Sequence, residues 1–285
     1  MTRLRHPARN IVPLWLWPNL LGLDSPAVAI AWQWLFARVF HVDLPEISHL
    51  ILGLSVWCVY LADRLYDAIR AKNISKGTHR LRFTKQHLAA LAITAAAAGG
   101  TNLFLIIRHV PEDLVISGLG TAALLAIYYG FRMFGRGRIS VIVPREVLCG
   151  MIFALGSVLA VDYHAGLPGP DPGFIIPVFF LGLLCAAACI LISIWERDAD
   201  LATSDTSFAT RRTGVPAQLP AAVSLLAIVC SVMAFFGSWQ IYLALAFSAL
   251  ALRLMLHSEK QLSVTTLRVL ADGVLLSPLL VVWFT

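Results

Sequence analysis

Charge is what this chain has least of. Asp, Glu, Lys and Arg make up only 13% of its 285 residues, against 59% hydrophobic, and the mean hydropathy is +0.78. A soluble domain of this length is nearer a quarter charged, so a soluble α/β enzyme fits poorly, as do a disordered chain and a secreted disulfide scaffold. Cysteine is also sparse. Cys58, Cys149, Cys185, Cys189 and Cys230 lie inside apolar runs without a metal-binding or redox spacing, and read as small buried hydrophobes. A cleaved signal peptide is not expected, because Arg3, Arg5 and Arg9 precede a stretch broken by Pro13, Pro18, Asn19 and Asp24, with no small-residue cleavage site. The net charge of +6 comes with no nucleic-acid motif, and in so apolar a chain the placement of basic residues matters more than their sum.

Long apolar runs are what the chain has in abundance. Windows broken by charged or turn-rich segments give nine candidate helices over 18–40, 46–66, 87–107, 112–131, 141–162, 174–196, 217–236, 238–256 and 264–284. The windows are continuous rather than alternating, which argues against barrel strands. The expected fold is therefore all-α: a polytopic membrane protein forming one integral membrane domain. Two four-helix halves (about 18–131 and 141–256) are followed by a final helix (about 264–284). Lys and Arg fall asymmetrically on this layout. Twenty of the 22 lie on one side, and only Arg38 and Arg108 on the other. The positive-inside rule makes the richer side cytoplasmic and places the N-terminus inside; the expected location is a bacterial cytoplasmic membrane.

Because acids are rare, sixteen in all, their clusters stand out. Asp63-Arg64-Leu65-Tyr66-Asp67 ends the second candidate span, and Glu196-Arg197-Asp198-Ala199-Asp200, followed by Asp205, ends the sixth. In each cluster two carboxylates stand four apart, one turn along the same helix face. Like charges at that spacing repel, and a helix C-terminus disfavours anions, so stability alone would not choose the arrangement twice. A divalent cation reverses the penalty. Mg²⁺ takes one or two carboxylates together with phosphate oxygens and water, and nearby Arg and Lys would neutralise the remaining phosphate charge. The alternative is that both clusters are solvated helix ends.

These residues resemble the motifs of the UbiA superfamily of intramembrane prenyltransferases, whose members have nine helices and two Asp-rich motifs on the second and sixth. Asp63 to Asp67 matches the end of the first motif, N-D-x-x-D-x-x-x-D, and Glu196 to Asp200 matches the second, D-x-x-x-D, with Glu in first place. Tyr128 and Arg132 look like the family's Tyr-x-x-x-Lys/Arg element, and Pro144-Arg145-Glu146, with Gly150 after it, is similar to a stretch opening the fifth helix in some members. Val59 and Tyr60 depart from the family by standing where Asn-Asp is usual. The basic loop reads Thr78-His79-Arg80-Leu81-Arg82-Phe83, without the usual Arg-Pro pair. The resemblance implies that Asp63, Asp67, Glu196 and Asp200 hold Mg²⁺ and the diphosphate of an isoprenoid donor. It also implies that Arg64, Lys72, Arg80, Tyr128, Arg132, Arg197 and Asp198 bind substrate, with Arg82 a further candidate, and that a lipophilic acceptor or an internal double bond quenches the allylic cation. Trp57, Tyr60, Tyr66 and Tyr128 could steady that cation through their π faces. Two alternatives on the same scaffold are a terpene cyclase, which needs no acceptor, and a non-catalytic lipid-binding or transport protein.

Other polar residues fall within the apolar windows. Asp272 lies about 12 Å into the last span at 1.5 Å per residue and is expected to face the bundle interior. Asn19 and Asp24 in the first span raise the same question, with an acceptor-site role open to either. Of eight histidines, only His79, in the basic loop, stands near the site.

Overall fold

The structure, a computed structural model, describes residues 13–71, 77–134, 144–166, 169–203 and 215–284. Among them there are helices and no strands. After a 3₁₀ turn at Leu14–Leu16 come α1 (Trp17–Leu21), α2 (Asp24–Val39), α3 (Glu46–Arg70), α4 (His79–Gln86), α5 (Leu88–His109), α6 (Glu112–Phe134) and α7 (Arg145–Ala165). They are followed by α8 (Pro172–Trp195), α9 (Arg197–Thr203), α10 (Val215–Met233), α11 (Trp239–Ser258), α12 (Val264–Val274) and α13 (Pro278–Val281). Six of these, α3, α5, α6, α7, α8 and α11, are individually long and apolar enough to cross a membrane.

The expectation of nine continuous spans needs correcting at two places. The run over 18–40 is broken between α1 and α2 by a bend of 82°, and the run over 264–284 is broken between α12 and α13 by 43°. If each bent pair is one span, the described residues hold eight candidates. The stretch expected over 217–236 is helical, but its described apolar part, Ala217–Met233, is shorter than the others.

Breaks at membrane depth release backbone carbonyls that lipid cannot satisfy, and neighbouring side chains satisfy them here. At the first break, Trp57 Nε1 donates to the Leu21 carbonyl (3.0 Å) and Arg64 Nη1 to the Asn19 carbonyl (3.2 Å). At the second, Ser248 Oγ donates to the Val274 carbonyl (2.8 Å) and Trp32 Nε1 to the Leu275 carbonyl (3.0 Å). The turn at the first break uses Gly22 at φ +73°, where a side chain would be strained and its Cβ would lie 2.7 Å from the Tyr60 ring.

The core lies where α2, α7, α8, α10, α11 and α12 meet, with Trp32, Phe36, Leu184, Leu191, Leu245 and Leu267 fully enclosed. α7 and α8 pack most closely of all. Small residues permit that approach. A Cβ at Gly150 would sit 2.6 Å from the Gly182 carbonyl oxygen and closer still to the Ala186 backbone nitrogen. Overpacking a tight contact costs about 1–3 kcal/mol. Gly150→Ala should therefore lower the unfolding midpoint of the detergent-solubilised protein, whereas Gly100→Ala, where an added Cβ meets nothing, should leave it unchanged or raise it.

Candidate functional site

Between α3, α6, α7 and α8 lies a chamber of about 1660 Å³. Residues of α3 line it from Ser48 to Arg70, a length of ~33 Å at the helical rise, comparable to the ~30 Å hydrocarbon thickness of a bilayer. Its middle is apolar, with Leu52, Val56, Ile106 and Leu119 in the wall. α6 closes one side by packing on α7, and Tyr129 Oη donates to the Val59 carbonyl of α3 (3.1 Å).

Charge gathers at one end. The C-terminal turns of α3 and α8, the N-terminal turns of α7 and α12, and the short basic α4 all deliver side chains there. Asp63, Asp67, Glu196 and Asp200 line this one chamber although their motifs are four candidate spans apart in sequence. Pro144, Arg145 and Glu146 line it too, with Arg145 Nε 3.3 Å from Glu146 Oε1. α4 starts at Thr78, whose side chain accepts from Leu81 N (3.2 Å) as an N-cap, and this start carries Arg80 into the chamber wall.

Tyr60 is the hub of the arginines. Its hydroxyl accepts from Arg80 Nη1 (2.9 Å) and Arg268 Nη2 (3.3 Å), and the Arg64 and Arg80 guanidiniums each lie 5.8 Å from its ring centroid. Arg64 is 3% exposed and also donates to Thr84 Oγ1 (3.1 Å). Arg268 Nη1 is 2.6 Å from Glu196 Oε2, with both side chains 10% exposed. This buried pair ties α12 to the end of α8.

The remaining sequence-derived candidates divide. Arg64 and Arg80 line the chamber, as does Tyr128, which packs edge-on against Tyr129 with centroids 5.3 Å apart. Arg197 is half-buried and Asp198 exposed, and neither lines the chamber. Lys72, Asp205 and the side chain of Arg132 lie outside the described residues. His79 is exposed, outside the lining, and Arg82 is likewise not part of it. The aromatic faces need a correction. Tyr60 already carries two guanidiniums, and Arg70 sits 5.1 Å over Tyr66, so of the tyrosines named for cation stabilisation, Tyr128 carries no such cation among the described residues.

Sequence reasoning gave Arg268 only an orienting role. Its partner Glu196 is 72 positions away, so the one local signal was the i, i+4 spacing from Arg268 to Asp272. Asp272 also lines the chamber and accepts from Asn19 Nδ2 at 3.3 Å.

Among the described residues no three His, Cys, Asp or Glu gather closely enough to hold a metal unaided. Mg²⁺ does not require that, since substrate phosphates and water complete its octahedron. The carboxylates of Asp63, Asp67 and Asp200 are hard oxygen donors of the right kind, while Glu196 is engaged by Arg268.

Removing one partner of a buried ion pair costs about 3–5 kcal/mol, while replacing both with apolar groups is often neutral. Arg268→Met and Glu196→Leu should each lower resistance to denaturation in detergent, and the double variant Arg268→Met/Glu196→Leu should recover most of the loss. Additive losses in this cycle would mean that the pair contributes no coupling. No family model matches the chain, nor does any curated protein or solved structure.

Proposed function

We propose that this protein is a Mg²⁺-dependent intramembrane prenyltransferase that moves an isoprenoid group from its diphosphate to a lipophilic acceptor. The observation that carries the reading is the convergence of Asp63, Asp67, Glu196 and Asp200 on one chamber with a charged end and an apolar body. A prenyl diphosphate has the same two-part character, and the length of the chamber accommodates a long hydrocarbon tail.

In this reading Asp63, Asp67 and Asp200 hold the metal together with the diphosphate, and Glu196 serves mainly to fix Arg268. Bound Mg²⁺ supplies charge neutralisation of the leaving diphosphate. Arg80 donates to phosphate oxygens, while Arg64, committed to Asn19 and Thr84, acts as a fixed positive charge behind them. The apolar wall keeps water from the allylic carbon, so that the acceptor rather than hydroxide quenches it. Tyr128 presents its ring to that cation, an interaction worth about 2 kcal/mol when desolvated.

Purified protein in lipid nanodiscs, given farnesyl or geranylgeranyl diphosphate and Mg²⁺, should release diphosphate. Asp67→Asn and Asp200→Asn should lower that release by roughly 10²-fold or more without loss of protein yield. Absence of release across a panel of donors and acceptors overturns the reading.

A further inference from the structure

We propose that the side-chain amide of Gln33, together with the Ser48 hydroxyl, limits the prenyl donor to about four isoprene units by placing unpaired polar groups where the tail of a longer donor would lie. The proposal rests on the prenyl-transfer reading and adds the donor class: a short-chain prenyl diphosphate.

The end of the chamber opposite the acidic motifs is not uniformly apolar. Gln33 of α2 is 1% exposed yet lines the chamber. Its Oε1 lies 2.6 Å from His49 Nδ1, which fixes the amide at the depth of the first turn of α3. The amide nitrogen has no hydrogen-bond partner among the described residues. An imidazole nitrogen can accept as well as donate, so His49 engages one end of the amide in either orientation and the other end stays in the chamber wall. Ser48, beside His49 in sequence, also lines the chamber, and its hydroxyl has no partner among the described residues.

Ser55 shows the contrast. It lines the chamber nearer the middle, but its hydroxyl donates to the Ile51 carbonyl (2.8 Å) and accepts from Asn102 Nδ2 (2.8 Å). A tail passing Ser55 therefore deprives it of nothing. Only at the level of Gln33 and Ser48 does the wall hold polar groups that hydrocarbon would leave unpaired.

One helix measures the distance. Asp63 and His49 both belong to α3, and their separation along it is ~21 Å at the helical rise. An extended isoprene unit adds roughly 5 Å, from four main-chain bonds of about 1.5 Å in a zigzag. With its diphosphate held at Asp63 and Asp67, a farnesyl tail of three units stops short of Gln33. A geranylgeranyl tail, with four, just reaches it. A fifth unit lies against the amide.

Water entering the empty chamber can pair with Gln33 and Ser48, whereas a hydrocarbon tail over them cannot. Leaving one such group unpaired weakens binding by roughly 5- to 150-fold. The discrimination is thus by polarity, in the way that a site built to hydrogen-bond rejects a ligand that cannot. Because these groups meet the tail and not the reacting carbon, the loss falls on KM rather than kcat.

The test uses the full chain in nanodiscs with Mg²⁺ and three donors, farnesyl, geranylgeranyl and hexaprenyl diphosphate, and follows diphosphate release. In wild type, kcat/KM for the hexaprenyl donor should be lower than for farnesyl by roughly fivefold or more, through KM, with geranylgeranyl close to farnesyl. Gln33→Met, which keeps the side-chain length and removes the amide, should raise the hexaprenyl-to-farnesyl ratio by roughly fivefold or more. Ser48→Ala should raise it in the same direction. A variant that is merely destabilised loses rate with both donors and keeps the wild-type ratio, so an unchanged ratio in Gln33→Met overturns the proposal. If Gln33→Met yields no active protein, Ser48→Ala decides by the same ratio. Wild type that turns over hexaprenyl diphosphate as well as farnesyl diphosphate overturns the proposal and leaves the prenyl-transfer reading intact. Wild type that releases diphosphate from none of the three overturns both.

Discussion

A guanidinium in a low-dielectric interior must have partners, and the charged end of this bundle is arranged around that requirement. Arg64 and Arg268 are both buried, and meeting their needs draws α1, α3, α4, α8 and α12 together through the Asn19 carbonyl, Thr84, Tyr60 and Glu196. The apolar helices could slide past one another in lipid with little penalty, since lipid tails solvate their faces as well as a neighbour does. The arginine network removes that freedom. It sets the distance between the ends of α3 and α8, and hence the width of the chamber between the two acidic motifs.

The helix breaks are a consequence as much as a cause of this network. At the turn the Asn19 carbonyl accepts from Gly22 N (3.2 Å) and, with its second lone pair, from Arg64 Nη1 (3.2 Å). The close approach of the Tyr60 ring to Gly22 leaves no room there for a side chain. At the opposite end, Trp32 and Ser248 satisfy the carbonyls released after α12, so the chain can carry Asp272 to the chamber and then turn outward. Ser277 continues this pattern, its Oγ lying 2.7 Å from Ser248 Oγ and 2.9 Å from the Ala244 carbonyl oxygen. Polar groups that look like flaws in an apolar window thus make two bent spans tolerable.

Much of the helical layout was legible because hydropathy reports continuous spans directly. The windows at 46–66, 87–107, 112–131, 174–196 and 238–256 correspond to α3, α5, α6, α8 and α11 with ends displaced by a few residues. The breaks were legible only in part: Pro18, Asn19 and Asp24 interrupt the first run and Pro278 the last, but only the tertiary donors reveal where the ladder stops. The acidic pairs stood out through their rarity. Arg268 did not, since it also satisfied the charge asymmetry across the membrane and its partner lies on another helix.

Tyr60 marks the point where this chain's electrostatics diverge from a purely acidic motif. A carboxylate at that position would accept from the same arginines, but it would also cancel one unit of their charge. The phenol hydroxyl accepts from Arg80 and Arg268 while remaining neutral, and its ring gives Arg64 and Arg80 a further favourable surface without adding a negative charge. Glu196 balances Arg268, while Arg64 and Arg80 share the chamber wall with Asp63, Asp67 and Asp200. Under the proposed function, an anionic headgroup entering the chamber would meet these two cations already held in place. Fixing the cations beforehand matters because long side chains otherwise lose about 2 kcal/mol of rotamer entropy each when a ligand orders them. The tyrosine thereby holds these guanidiniums in place without adding an anionic oxygen beside them.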